Sequence, residues 1–245
     1  MLAVSLDGRL APPEGGAAQI GGRGDRRVLE EALAWADGAL IGAETLRRHG
    51  TTCLIHDRDL LLQRQQRAQP PQPHALVVSR SGLLPARLPF FHQPLQRWLL
   101  LASASESGSG AAAAVPDPPA AGPVSALEPR ELEPSELEHR ESSGGFDRLL
   151  PLPDWERGLR ALAAAGLQRL VVLGGAALAG SLLAEDRLDA LQLTVAPLLL
   201  GGPHTWLAPQ GALPADLRRG WTLQEQRLLE GGEVLLRYRR CRQPS

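Results

Sequence analysis

Two adjacent glycines at the end of an apolar run carry the clearest chemical signal in the chain. Leu170-Val171-Val172-Leu173 leads into Gly174-Gly175, and Ala176-Ala177-Leu178-Ala179-Gly180-Ser181-Leu182-Leu183 then reads as a helix. A strand, a tight turn and a helix N-terminus make a place for a phosphate. Glycine lets the backbone approach the ligand, and the first helical turn offers unpaired N–H groups at the positive end of the helix dipole. Paired glycines are also common punctuation, so the turn alone admits a purely structural reading. His49, Cys53 and His56 form a second candidate group. Their spacing would suit a metal, but no fourth ligand stands nearby. No metal is therefore expected, and the segment reads as a loop whose side chains face a pocket. Thr45 either caps and packs or contacts a ligand. Ser5-Leu6-Asp7-Gly8 and Ser79-Arg80-Ser81-Gly82 read as turns that follow strands.

The elements that must hold these residues follow from periodicity. Met1 to Leu6 reads as a short buried strand, and a start a few residues upstream would give it a more usual length. Asp25 to Ala36 places Val28, Leu29, Ala32, Leu33 and Ala36 on one helical face, and Asp37-Gly38 ends it. Ala39-Leu40-Ile41 is a buried strand, turned by Gly42 into a short helix from Glu44 to His49. Asp57 to Gln69 reads as an exposed, solvated helix stopped by Pro70-Pro71. Leu76 to Val78 and Trp98 to Leu101 are further strands. Asp154 is a helix N-cap, and Gly166 closes that helix. The Leu170 strand, a helix to about Ala184, the Leu191–Val195 strand and a terminal strand over Glu233–Arg239 complete the pattern. Strands alternating with helices predict an α/β fold with a largely parallel sheet.

Residues 103–145 differ from the rest, running through Ser/Gly, Ala, Pro and then Glu-rich sequence. Such a segment has too little apolar surface to offset its ordering entropy, so an exposed, partly disordered insertion is expected, with a short strand near Pro123–Leu127.

Composition narrows the partners. The chain has 245 residues, 43% hydrophobic and only 4% aromatic, so Leu, Ala and Val must fill the core. The formal net charge of -1 gives no reason to expect nucleic acid or an anionic membrane. All 26 basic residues are Arg, a bias of composition and not a binding signature. Two cysteines, Cys53 and Cys241, suggest no disulfide framework and fit a reducing cytosol. No apolar run approaches a membrane span, and no signal peptide is evident at the start, so a cytoplasmic protein is expected.

Three blocks, in order, resemble the C-terminal reductase domain of the bifunctional riboflavin-biosynthesis deaminase/reductase. They are Ala3 to Arg9, Gly38 to Leu46, and Val172-Leu173-Gly174-Gly175 through Pro197-Leu198-Leu199-Leu200-Gly201. The zinc deaminase signature is absent from the sequence. The resemblance implies a single reductase domain over residues 1–245, interrupted by 103–145. The implied fold is dihydrofolate-reductase-like, with a mostly parallel central sheet, helices on both faces and an antiparallel C-terminal addition. It also implies NADPH as cofactor, a small-molecule substrate and a homodimer. The implied reaction is reduction of 5-amino-6-(5-phosphoribosylamino)uracil at the ribose C1 carbon, where the cofactor carries the hydride chemistry.

On the same basis Val4, Gln19, Gly42, Thr45, His49, Ser79, Arg80, Gly174, Gly175, Ala176, Ala177 and Leu178 fall at cofactor positions. Arg80 would favour NADPH through its extra phosphate. Cys53, His56 and Arg58 fall in the substrate loop, and no catalytic residue is identified. The chain departs from the family in the loop after Thr45, where His49-Gly50-Thr51-Thr52-Cys53 replaces an Asp-Asp-Pro-x-Leu pattern, and at substrate positions, with Leu33 for an Arg, Leu173 for a Glu and His56 near where another Arg falls, Arg58 following two residues on. Two further readings follow from those departures: a reductase of another small substrate such as a pteridine, or a nucleotide-binding domain without catalysis.

Overall fold

The computed structural model of the protein describes residues 1–16, 20–103, 145–207 and 220–242. In chain order the elements are β1 (Leu2–Ser5), α1 (Arg23–Trp35), β2 (Gly38–Gly42), α2 (Ala43–His49), α3 (Arg58–Gln66), β3 (His74–Ser79) and β4 (Arg97–Ala102). They continue with β5 (Arg148–Leu152), α4 (Trp155–Ala164), β6 (Leu170–Val172), α5 (Ala176–Ala184), β7 (Ala190–Ala196), β8 (Trp221–Leu228) and β9 (Val234–Arg240). Five strands form a parallel sheet in the order β5-β4-β3-β2-β6. The other four form a second sheet, β1-β7-β9-β8, in which β1 and β7 are parallel and the rest antiparallel. This is the α/β architecture expected, with its antiparallel addition at the C-terminal end.

Both faces of the parallel sheet are covered, which is why its central strands read as unbroken apolar runs. Leu40, Leu76 and Leu100 point to one side and pack against Trp155 and Leu162 of α4 and Leu178 and Leu182 of α5. Ile41, Val77, Leu99 and Leu101 point to the other, against Leu46 of α2, Phe90 and Phe146. Ala39 and Val171 meet α1 and α3 through Leu33 and Leu60. The predicted strands and helices appear within a few residues of their expected ends, and Asp154 caps α4 by accepting from the Arg157 N–H at 2.7 Å.

Two strands went unseen in the sequence. β5 contains Pro151 and β8 is mostly exposed and polar, and both lie at sheet edges, where a Pro and a solvated face are tolerated. The helix expected over Asp57–Gln69 is shorter and less solvated than its charge suggests. Asp57 caps it, and Arg64 is buried at 1% exposure. The Arg64 guanidinium donates to the carbonyls of Leu33, Ala34 and Ala36 at 3.1, 3.2 and 2.7 Å, satisfying the last turn of α1. No described helix is long and apolar enough to cross a membrane. The expected disorder and short strand within 103–145, apart from the flanking Ser103 and Gly145, and the expectation for Gln19 fall outside the described residues.

Candidate functional site

The parallel sheet has a switch point. From β2 the chain moves outward through β3, β4 and β5, then returns to lay β6 on the other side of β2. In open α/β sheets the crevice outside the carboxyl ends of two such strands is where ligands bind. β2 ends at Gly42 and feeds α2. β6 ends at Val172, and Gly174 and Gly175 follow at φ of 67° and 86°, a region that favours glycine. Gly175 is the N-cap of α5, and no side chain caps that helix, whereas Asp57 and Asp154 cap α3 and α4.

A Cβ added to Gly175 would come within 3.0 Å of Thr45 Oγ1, and one on Gly42 within 3.9 Å. The fold therefore brings Gly42, Thr45, Gly174 and Gly175 together, around a cradle that side chains at the glycines would fill. In the first turn of α5 Ala177 is exposed and Ala176 half-buried, while the Leu178 side chain is buried in the core, leaving its backbone N–H to that turn. His49 lies one helical turn beyond Thr45 on the same face and is exposed. Gly42 pairs with Val78, so Ser79 comes just beyond it on the next strand. Ser79 is buried and its hydroxyl accepts from the Gly82 N–H at 3.0 Å, as a turn-former does, while Arg80 is exposed. Val4 is buried in β1, which reaches the same turn from the other sheet: the Leu2 side chain lies 3.4 Å from where a Gly174 Cβ would stand, and the Met1 amino group donates to the Val172 carbonyl at 2.9 Å.

The segment after α2 is pinned by side-chain amides. Gln93 receives the Thr52 N–H at 2.9 Å and returns a bond to the Thr52 carbonyl at 2.8 Å. Gln72 does the same for Ile55, at 2.9 Å in each direction. Glu30 of α1 accepts from the N–H groups of His56 and Asp57 at 2.9 and 2.8 Å. Cys53 sits between the two glutamine clamps and faces Asp25, Arg26 and Glu30. The residue is exposed, yet the protein mass around its thiol, and then the Asp25 charge, push its pKa up. The side chains of His56 and Arg58 are exposed. Among the described residues no group of three or more His, Cys, Asp or Glu is placed to hold a metal ion.

Three residues of this region escaped sequence reasoning. Glu233, just before β9, is 3% exposed and accepts from the N–H groups of Gly22 and Asp25 at 2.5 and 3.1 Å, capping α1 from the far end of the chain. Asp25 folds back over Gly21, where any side chain would collide with it. Its carboxyl pKa is raised, first by burial and also by the Glu233 charge, against the opposing pull of the Thr194 hydroxyl and the Met1 amino group. Thr194 of β7 is fully buried, with its hydroxyl directed at the Asp25 carboxyl. The same helix start borders a groove of about 370 Å³ walled by Gly21, Gly22, Pro197, Glu230 and Glu233. In sequence Asp25 is indistinguishable from any acid in a first helical turn. Asp7, by contrast, is a tether. It accepts from the Ser5 hydroxyl and from the N–H groups of Leu200 and Gly201, and these bonds hold its carboxyl well below the usual range.

Compared with known proteins, the chain matches the RibD C-terminal domain over residues 1–235. The chain belongs to the RibD C-terminal domain family. A pyrimidine reductase-like protein from Corynebacterium diphtheriae shares the fold at a TM-score of 0.72 and 18% identity, over 99% of this chain and 90% of that one. A diaminohydroxyphosphoribosylaminopyrimidine deaminase/5-amino-6-(5-phosphoribosylamino)uracil reductase from Thermotoga maritima gives 0.67 and 16%, and RibD from Acinetobacter baumannii 0.68 and 19%. The RibD-family chain described here is covered to 98% by each of the latter two but spans only 55% and 57% of their lengths. No curated protein matches it.

Proposed function

We propose that the protein is an NADPH-dependent reductase that delivers hydride to the ribose C1 carbon of 5-amino-6-(5-phosphoribosylamino)uracil or a close relative. The observation that carries this reading is the Gly174–Gly175 turn at the switch point, with α5 uncapped behind it and Thr45 Oγ1 facing it. The N–H groups of Ala176, Ala177 and Leu178 suit a diphosphate, because the helix start concentrates positive potential there. Arg80, exposed beyond β3, suits the additional phosphate of NADPH. A bound dihydronicotinamide would supply the hydride, and the protein's task is to align it with the substrate. Cys53, His56 and Arg58 belong to the substrate side of this reading, and a homodimer is its proposed assembly.

One observation favours a second reading. Leu33 and Leu173, which stand where the resemblance has an Arg and a Glu, pack into one apolar cluster with Ile55 and Val171. The charged pair is replaced as a unit, which suits a reductase whose substrate needs no such pair. Loss of NADPH absorbance on mixing with 5-amino-6-(5-phosphoribosylamino)uracil, with NADH in parallel, decides between them. Turnover with NADPH supports the riboflavin step; NADPH binding without turnover moves the assignment to another small carbonyl or imine.

A further inference from the structure

We propose that the uncovered face of the C-terminal sheet docks on the same face of a second copy of this chain. The inference rests on the homodimer proposed above and gives that dimer its surface.

The alternation of β7, β9 and β8 carries it. Successive side chains of a strand point to opposite sides of the sheet, and register partners share a side. Thr194 is directed at Asp25, so one side of the sheet faces α1. On that side stand Gln192 and Thr194 of β7, Leu235 and Arg237 of β9, and Glu225 and Arg227 of β8. Leu235 is fully buried, Arg227 pairs with Glu31 of α1 at 3.1 Å, and Arg237 donates to Gln192 at 3.1 Å. The other side carries Leu193 and Val195, Val234 and Leu236, and Leu223 and Leu228. Polar groups thus face the protein and aliphatic groups face outward, the reverse of an ordinary one-sided sheet.

Cover on the outward side stops at β1. Leu2 and Val4 are buried there, Leu2 beside the glycine turn. Beyond them Leu193, Val195, Val234 and Leu236 are only half-buried, and Leu223 and Leu228 are 43% and 75% exposed. None of the six joins a core cluster of the described residues. Three strands of this length make a face of about 14 Å by about 23 Å, an extent at which exposed apolar surface marks a docking site.

Charge and edge geometry select a second copy as the occupant. Around a twofold axis each group meets its own kind, so a charge there would meet a like charge. Leu193 and Leu236 pair at the middle of this face, which holds no charge, and a formal net charge of -1 sets no barrier between copies. Two such faces can stack as a sandwich. Edge-to-edge pairing is opposed by β8 itself, whose register shifts between Leu223 and Glu225; a bulge twists an edge away from an added strand. The 104–144 insertion is ill suited as a cover. It leaves β4 and re-enters at β5, the outer edge of the other sheet, and its large apolar residues are Val115, Val124, Leu127, Leu132 and Leu137, spread among glutamates.

Sedimentation equilibrium tests the contact. The unsubstituted protein should be a dimer. Leu236→Arg, which sets like charges against each other near the axis, should raise the dimer dissociation constant at least about 100-fold. Leu228→Lys, at a position already open to solvent and so compatible with the fold, should raise it at least about tenfold. Leu62→Lys, at an exposed leucine of α3, should leave it within about twofold. Circular dichroism should be the same for all four proteins. A monomeric unsubstituted protein overturns the proposal. So does a dimer that Leu236→Arg and Leu228→Lys leave intact, as one joined through the β8 edge would be, or one that Leu62→Lys weakens equally. Failure of the reductase reading looks different: no NADPH oxidation by a protein that still dimerises through this face.

Discussion

In the proposed cofactor reading, a single exposed guanidinium would choose between NADPH and NADH. Arg80 lies beyond the carboxyl end of β3, one strand over from Gly42 and Thr45, where a phosphate on the adenosine end of the cofactor would meet a cation. Charge-assisted bonds to phosphate are among the stronger polar contacts, but an exposed one is screened. Arg80→Ala should raise the KM for NADPH about tenfold, equivalent to about 1.4 kcal/mol, and leave that for NADH unchanged; steady-state kinetics with both cofactors checks it. At this scale the sequence shows the units whose chemistry is local. Gly42 with Thr45, and Gly174 with Gly175, each sit in a strand-turn-helix unit of consecutive residues, and only the pairing of β2 with β6 brings the two units together. The sequence does not show the grouping of Asp25, Thr194 and Glu233, whose meaning comes from contact between α1, β7 and β9, elements remote from one another in the chain.

Among the elements, the switch point is held at its base by one carboxylate. Asp37 precedes β2 and accepts from the N–H groups of Gln168 and Arg169, just before β6, at 3.1 and 2.8 Å, from the Arg169 guanidinium at 2.7 Å and from Gln69 at 3.0 Å. Burial pushes its pKa up, but the Arg169 bonds outweigh that and hold it below the ordinary value of 3.8. A depressed folded-state pKa means stability that is present above the unfolded value and lost as pH falls through the folded one. Asp37→Asn should therefore lower stability by about 1–2 kcal/mol at pH 7, with the difference shrinking below about pH 4; urea unfolding at both pH values measures it. The central strands β2, β3 and β4 were legible because burial on both faces leaves an apolar run. β5 and β8 were not, since an edge strand is half-solvated. The burial of Arg64 was equally hidden: only the meeting of α3 with the end of α1 turns a charge-rich helix into a source of caps.

For the molecule as a whole, the 103–145 segment must do one geometric job. β4 and β5 are parallel neighbours, so the chain has to return from the carboxyl end of one to the amino end of the other. Such a connection takes about a dozen residues, far fewer than the 41 numbered 104–144. Replacing 104–144 by a flexible linker of about 15 residues should leave NADPH binding and the thermal midpoint nearly unchanged, whereas direct fusion of Ser103 to Gly145 should prevent folding. Calorimetry of the two variants distinguishes these outcomes. The fold class was legible because alternating strands and helices leave few topologies. The pairing of β1 with β7 and the switch point between β2 and β6 were not, because strand order is a property of the assembled sheets.

On the proposed reading, the Gly174–Gly175 turn is a cofactor cradle. Titration of the protein with NADPH, followed by nicotinamide fluorescence, tests it when repeated on Gly175→Val. A side chain there would press on Thr45 Oγ1 at a backbone angle that suits glycine. The unsubstituted protein should bind saturably, and the variant, with circular dichroism unchanged, should bind at least about thirtyfold more weakly, roughly 2 kcal/mol. Equal affinity in the two proteins, or no binding by the unsubstituted one, would contradict it.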